Sequence, residues 1–446
     1  MVSFITPTYQ KGSGCELIDH TGRHYLDTRN NVCHVGHQNP RIVDAVSKQV
    51  ATLNTNSRYM HPNSVMLAER LVNLFPKSLE KVFFVNSGSE ANDLALRLAR
   101  AYSGSKNCIF VDGAYHGHSM STLEISPHKF SHSREYIKDL KEKPNGMKSV
   151  GEHLYQVQCP DIYRGRSYGE NATESKKKNE SEDFAKDVED ACEYYQRKNE
   201  KVGAFIIESG LSIGGVILPP PSYLKRCAKA VRDAGGLYIA DEVQTGFGRL
   251  GSCFWAFQYE NSDVVPDIVT VGKAFGNGVP IAAVITTKKV SDAFESMGVE
   301  YFNTFGGNPV SCAAGLAVLD EIEEKKLQMH AFSVGNYLQG KFKELKERFP
   351  IIGDVRGSGL FLGIDLVKDQ DTKQPATKEC SFLCTILKEK YSILTSIDGP
   401  FYNVLVVKPP MCFSHQDVDK FIKAFEYAVK DDLLNVNLDE ISRTPT

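Results

Sequence analysis

The sequence predicts an α/β protein, with one large domain built on a mainly parallel sheet and a smaller α+β domain. Two patterns carry this. From about residue 61 to 320, short β-rich runs alternate with longer helical ones, and the runs are apolar at nearly every position. Strands buried on both faces of a parallel sheet must be apolar throughout, whereas a half-exposed strand alternates. Beyond residue 320 the order changes to a long helix, two strands and a last helix, which reads as a separate α+β unit.

In chain order, residues 1–60 hold strand patterns at Cys15-Glu-Leu-Ile-Asp19 and Arg23-His-Tyr-Leu-Asp27. A helix follows over 40–52, with apolar residues at Ile42, Val43, Val46 and Val50. Residues 61–320 form the large domain. Its strands are Lys81-Val-Phe-Phe-Val, Asn107-Cys-Ile-Phe-Val, Val202-Gly-Ala-Phe-Ile-Ile, Leu237-Tyr-Ile-Ala and Ile268-Val-Thr-Val. Within it, residues 131–201 are polar, and 170–186 are nearly all charged or small. This stretch reads as a surface insertion ending in a helix over about 184–198. Residues 321–446 form the smaller domain, with a helix over 334–349, strands Leu360-Phe-Leu-Gly-Ile-Asp-Leu and Val404-Leu-Val-Val, and an amphipathic helix over 416–429.

Composition removes several function classes. The 446 residues carry 52 Lys and Arg against 55 Asp and Glu, a net charge of −3, so no basic face is set aside for nucleic acid or an anionic membrane. Hydrophobic residues at 41% and charged residues at 24% are globular proportions. The apolar runs are strand-sized, far short of the roughly 18 residues of a membrane span. Eleven cysteines without a disulfide-like framework point to a reducing intracellular compartment, with cytoplasm and mitochondrion both open. Cys380 and Cys384 lie one helical turn apart with no nearby histidine, so no metal site is expected. The abrupt start leaves open whether a targeting segment once preceded it.

Three segments carry chemistry. Asn86-Ser-Gly-Ser-Glu-Ala-Asn92 joins a strand to a helix, so its turn presents unpaired backbone N–H groups at a positive dipole end. Ser87 and Ser89 add hydroxyl donors to this phosphate cradle; a plain N-cap is the competing reading. Leu237-Tyr-Ile-Ala-Asp241-Glu242 places carboxylates at the carboxyl edge of the sheet, where open α/β folds bind ligands. A buried Asp241 there calls for a cation such as a protonated pyridine nitrogen, although an Asp that caps the next helix is common. In Val269-Thr-Val-Gly272-Lys273-Ala-Phe-Gly276, a lysine directly after a buried strand is placed to act as a desolvated amine nucleophile. Gly246-Phe-Gly248-Arg-Leu-Gly251 matches a dinucleotide fingerprint, but the residues that follow are aromatic and carry no helical pattern, so no dinucleotide site is expected.

Together these segments resemble the class III branch of fold-type I pyridoxal-phosphate enzymes, over nearly the whole chain. Tyr25-Leu-Asp, Gly36-His37, Tyr115-His-Gly, Asp241-Glu-Val-Gln-Thr-Gly-Phe-Gly-Arg, Thr304-Phe-Gly-Gly-Asn-Pro and Val355-Arg-Gly-Ser-Gly-Leu complete the ordered set. The resemblance implies a fold-type I homodimer whose small domain draws on both termini, with pyridoxal 5'-phosphate as cofactor. It implies that Lys273 holds the cofactor covalently and then moves protons, and that Asp241 pairs with the pyridine nitrogen. Gly88 and Ser89 would bind the cofactor phosphate, joined by Thr304 from the partner subunit. Tyr115 would stack on the ring, with His116 and Gly117 shaping that turn. Gln244 would meet the ring hydroxyl, and Glu208 would support the same neighbourhood.

Within that branch the chain is most similar to the ethanolamine-phosphate and 5-phosphohydroxylysine phospho-lyases, through Asn30-Asn-Val-Cys-His34-Val-Gly-His37, Leu53-Asn-Thr-Asn-Ser-Arg58 and Lys408-Pro-Pro-Met-Cys-Phe413. The resemblance implies a lyase that removes phosphate and ammonia from a vicinal amino-phosphate, with a class III ω-transaminase as the alternative. A catalytically silent binding protein is a third reading, against which Lys273 and Asp241 stand. By alignment with the ornithine aminotransferases, Asn30 replaces a substrate-binding Tyr and Ile213 replaces a gating Glu. Asn30, Asn31, His34, Arg58 and Lys408 are then the expected donors to a substrate phosphate. Arg356 is the expected holder of a substrate carboxylate, with a structural ion pair as its competing reading.

Overall fold

The computed structural model describes residues 8–130, 140–165, 180–261, 263–298 and 300–436. Strands β1 (Tyr9–Ser13), β2 (Glu16–Asp19) and β3 (His24–Asp27) form an antiparallel meander that precedes the helix Pro40–Thr52. Asn39 caps that helix and Pro40 opens it, with the proline's missing N–H at a position that has no helical acceptor. Ile42 is buried, but Val43 and Val50 are exposed on the isolated chain.

The next strands are β4 (Lys81–Val85), β5 (Cys108–Val111), a hairpin of β6 (Leu140–Glu142) and β7 (Lys148–Val150), β8 (Leu154–Val157), β9 (Ala204–Glu208), β10 (Leu237–Asp241), β11 (Ile268–Val271) and β12 (Ala282–Thr286). Seven of them make the large sheet, in the order β4-β12-β11-β10-β9-β5-β8. All run parallel except β12, which is antiparallel to both its neighbours. Every residue of β5, β8, β9, β10, β11 and β12 is buried, which is why these runs read as continuously apolar.

Strand β8 corrects the reading of 131–201 as a surface insertion. Leu154-Tyr-Gln-Val pairs in parallel with β5 and forms one edge of the large sheet. Four residues within a polar stretch are too short for periodicity to reveal. The helix expected at 184–198 spans Glu180–Arg197. Residues 131–139 and 166–179 of the stretch lie outside the described residues. The Gly246–Gly251 run opens no helix; it leads through turns to the fully buried Trp255, which stacks on Phe75 at 4.1 Å.

Helix Leu327–Arg348 leads into the C-terminal region. There β13 (Ile352–Ser358), β14 (Phe361–Leu366), β16 (Ser396–Asp398) and β17 (Val404–Val407) form an antiparallel sheet in the order β13-β14-β17-β16. Strand β15 (Ile393–Leu394) instead pairs in parallel with β3. The two ends of the chain therefore share one sheet. The clasp continues beyond it, with the Lys408 N–H bonded to Thr28 O at 2.8 Å and the Met411 N–H to His34 O at 2.7 Å. This sets Asn31 and Lys408 side by side at the carboxyl edge of the large sheet. No helix among the described residues is long and apolar enough to cross a membrane.

Candidate active site

Strands β9, β10 and β11 end in register, and their carboxyl ends carry the reactive side chains. Glu208 ends β9 opposite Asp241, which ends β10; Lys273 follows β11 after one glycine. Lys273 holds φ +34, a left-handed conformation that a side chain rarely adopts. Such a backbone costs on the order of 1–3 kcal/mol and persists where the surroundings impose it, typically at working sites. The residue is half-buried, and desolvation lowers its pKa while Glu208, Asp241 and Asp398 pull the other way.

Asp241 is buried and well held. One carboxylate oxygen accepts from Asn92 Nδ2 at 2.7 Å and His116 Nδ1 at 2.8 Å; the other accepts the Val243 N–H at 3.0 Å. Thr270 Oγ1 in turn donates to Asn92 Oδ1 at 2.7 Å. Asn92 was missed in the sequence reading, although it closes the quoted Asn86–Asn92 motif as a polar residue on an otherwise apolar helix face. Glu208 accepts from the Tyr115 N–H at 2.9 Å, and burial raises its pKa to about 7. Tyr115 is half-buried, and burial and the charges of Asp241 and Glu208 push its hydroxyl up.

The cradle forms as the motif implies. Ser87 caps helix Gly88–Ser103 by accepting the Glu90 N–H, which leaves the Gly88 and Ser89 N–H groups without a helical acceptor. A Cβ at Gly88 would lie 2.8 Å from Val243 Cγ1, so glycine is required for the helix end to approach the strand that carries Asp241. Ser89 Oγ accepts the His118 N–H at 3.1 Å, which joins the cradle to the Tyr115–Gly117 turn.

A second cluster faces this one. Lys408 Nζ donates to Ser212 Oγ at 2.7 Å and Gln244 Oε1 at 3.2 Å; Asn31 Nδ2 donates to the same Gln244 oxygen at 2.7 Å. The Asp398 carboxylate lies 3.9 Å from the Lys408 ammonium. Desolvation lowers the Lys408 pKa to about 8, with Lys273 and Arg249 pushing the same way and Asp398 and Glu208 opposing. Neither Ser212 nor Asp398 was singled out from sequence, and neither carries a local motif.

Four other expected substrate contacts are engaged elsewhere within this chain. His34 is fully buried and has both ring nitrogens engaged: Nε2 donates to Phe247 O, and Nδ1 accepts from Arg249. Burial holds its pKa down to about 3, so it is a neutral structural link with no atom left for a ligand. Asn30 spends its side-chain oxygen on the Val32 and Cys33 N–H groups, which shapes the loop that delivers Asn31. Arg58 is exposed and lies over the Phe302 ring, on a segment tied to the loop of Thr304 by the Ser57 N–H to Thr304 O bond. Thr304 is exposed as well, so both sit on the outer face of their own chain. Arg356 donates to Gly215 O, Asp354 and Asp365, and two carboxylates already balance its charge. Ile213, in the adjoining loop, brings no carboxylate to it.

Comparison with known proteins agrees with this geometry. Residues 2–429 match the family model described as aminotransferase class-III. An alanine–glyoxylate aminotransferase 2-like protein of Drosophila melanogaster is 45% identical over 415 residues, covering 93% of this chain and 81% of that one. An ethanolamine-phosphate phospho-lyase homolog 1 of Caenorhabditis elegans is 40% identical over 413 residues, covering 92% and 85%. Among solved structures, a phospholyase from Arthrobacter in complex with phosphoethanolamine superposes with a TM-score of 0.85 at 36% identity, covering 97% of this chain and 95% of that one.

Proposed function

The chain belongs to the class III aminotransferase family, a family of pyridoxal-phosphate enzymes of fold type I, and within it we propose a phospho-lyase that removes phosphate and ammonia from a small vicinal amino-phosphate. The residues fit the cofactor on two observations. The helix end leaves the Gly88 and Ser89 N–H groups open to an anion, and the buried Asp241 carboxylate faces the site with Asn92 and His116 behind it. When bound, pyridoxal phosphate supplies an electron sink for the pair left at the amine-bearing carbon.

This chain's residues supply the rest. Lys273 takes the proton from the amine-bearing carbon at Nζ. Asp241 would hold a positive charge at the pyridine nitrogen, and Tyr115 would cover the ring. Gln244, whose side-chain oxygen accepts from Asn31 and Lys408, would meet the ring hydroxyl. The observation that carries the lyase reading is Lys408, a nearly buried ammonium held by Ser212 and Gln244 beside the attacking lysine. A phosphate dianion on the neighbouring carbon finds in it a charge-assisted donor, strengthened by desolvation. Once the proton is lost, the C–O bond to phosphate breaks with both electrons going to the departing oxygen, where Lys408 stabilises the developing charge. Water then releases ammonia and an aldehyde.

The transaminase reading, carried by the name of the Drosophila relative, needs a pocket that also takes a keto acid. Arg356, balanced by Asp354 and Asp365 with Ile213 in place of a gating carboxylate, favours the lyase. Holoenzyme given phosphoethanolamine alone should release inorganic phosphate, ammonia and acetaldehyde in equal amounts over many turnovers. A requirement for an added keto acid, with no free phosphate, would replace this reading with the transaminase.

We also propose a homodimer in which Arg58 and Thr304 reach the partner's site. Tyr59, Met60, Phe302 and Phe305 are exposed around them, an apolar surface that a monomer would leave in water. Light scattering should give twice the mass of one chain; a monomer that is fully active would rule this out.

A further inference from the structure

Cys15 and Cys412 are separated by 397 positions in the chain, yet their sulfurs lie 3.4 Å apart. The contact is built by three segments stacked on one another. Cys15 joins β1 to β2 and is buried, its carbonyl accepting the Asp27 N–H at 2.8 Å. Gly14 pairs with His37 through two backbone bonds, and Met411 bonds to His34. Gly36, at φ +105, lies between them: a Cβ there would come within 2.9 Å of Cys412 Sγ and 3.4 Å of the Gly14 Cα. The glycine thus lets the N-terminal turn, the loop that carries Asn31 and the segment after Lys408 meet at the two sulfurs.

We propose that Cys15 and Cys412 are a redox-active dithiol that a hydroperoxide converts to a disulfide, locking the turn between β1 and β2 to the segment that bears Lys408. This stands apart from the lyase reading and would hold for a transaminase equally. The sulfurs need to close from 3.4 Å to about 2.05 Å, a movement within reach of side-chain rotation. Cys412 is half-buried and the more accessible of the two, so it meets the oxidant first.

The steps balance. The Cys412 thiolate attacks the peroxide; an S–O bond forms, the O–O bond breaks, and the departing oxygen takes a proton as water or an alcohol. The Cys15 sulfur then attacks the sulfenic sulfur; the S–S bond forms, the S–O bond breaks, and the oxygen leaves as water with the Cys15 proton. The two thiols lose two electrons and the peroxide gains them.

The surroundings favour the first step. Burial opposes charge on His37, but its 2.8 Å bond to Asp27, helped by Cys33, raises its pKa to about 9, so His37 is charged as the partner of Asp27 near the two sulfurs. The bond from Cys15 chiefly, with a backbone bond and His37, draws Cys412 below the usual thiol range against burial and Asp417, while the same bond and burial push Cys15 up. The low-pKa sulfur is therefore the accessible one.

The test uses the full-length holoenzyme. After a few equivalents of hydrogen peroxide, denaturation and alkylation should find two of the eleven thiols lost and a peptide linking Cys15 to Cys412. Dithiothreitol should restore both. In Cys15→Ser the linked peptide should vanish and Cys412 should be captured as the sulfenic acid by dimedone; in Cys412→Ser the peroxide should leave Cys15 alkylatable. The proposal fails if wild-type protein keeps all eleven thiols, if Cys412 links to Cys33 or to another chain, or if Cys412 in wild type is oxidised to the sulfinic acid without a link.

Discussion

Replacing Lys273 with alanine is expected to cut phosphate release from phosphoethanolamine by about 10³-fold or more, with the protein folded and pyridoxal phosphate still retained. The size follows from the number of tasks this amine has. It sits at the end of β11, within the influence of the Glu208 and Asp241 carboxylates, and no other described side chain offers an amine there except Lys408, which is held by Ser212 and Gln244. In the proposed site, retention of the cofactor rests on separate residues, the Gly88–Ser89 helix end and the Asp241 carboxylate, so binding and turnover should part company. A small primary amine in solution should restore part of the rate by taking the proton in place of Nζ. Borohydride should fix the cofactor to the wild-type chain at Lys273 and not to the variant. If Lys273→Ala kept more than about a tenth of the activity, the proton would have another acceptor and the assignment would fall.

Part of this site was legible because it lies where sequence and geometry coincide. Lys273 and Asp241 each end an apolar run, as does Glu208, which only the family resemblance singled out, and a strand buried on both faces has one polar exit, its carboxyl edge. Ser87, Gly88 and Ser89 were legible for the same reason, as the turn between a strand and an amphipathic helix. What stayed hidden depends on pairings between distant segments. The Arg249 guanidinium bonds to His34 from 215 positions away and removes it from the substrate set. Asp354 and Asp365 are plain in the sequence, but only the β13–β14 pairing turns both toward Arg356. Asp398 and Ser212 belong to no motif, and they meet Lys408 only because the two ends of the chain clasp. Strand β8 was lost because its four buried residues carry too little pattern amid polar neighbours. Arg58 and Thr304 show the opposite limit, since one chain keeps them on its outer face and the use proposed for them needs a second copy.

Replacing Lys408 with methionine should lower kcat/KM for phosphoethanolamine by about 10²- to 10³-fold, the range expected when one partner of a desolvated charge pair is truncated. Methionine keeps most of the side-chain volume, so Ser212 and Gln244 lose a donor without a large cavity opening. The loss should fall mainly on KM if Lys408 holds the phosphate already in the bound substrate, and on kcat if it acts only as the phosphate departs. The pH profile separates either case from a packing defect. The ammonium has its pKa lowered to about 8, chiefly by burial, so Lys408 is charged below that pH and neutral above it. Wild-type kcat/KM for the phosphorylated amine should therefore decline as the pH rises through about 8, whereas for unphosphorylated ethanolamine, if it is processed at all, this limb should be missing. Lys408→Met should lose the limb and leave a flatter profile on that side, and Lys408→Arg, charged at every accessible pH, should retain binding across it. A variant with the full alkaline limb intact would mean that a different group titrates, with Lys408 serving only to brace Gln244. That outcome would move the proposed phosphate contact to Arg58 of a second copy and leave the buried ammonium as a structural tie between Ser212 and Gln244.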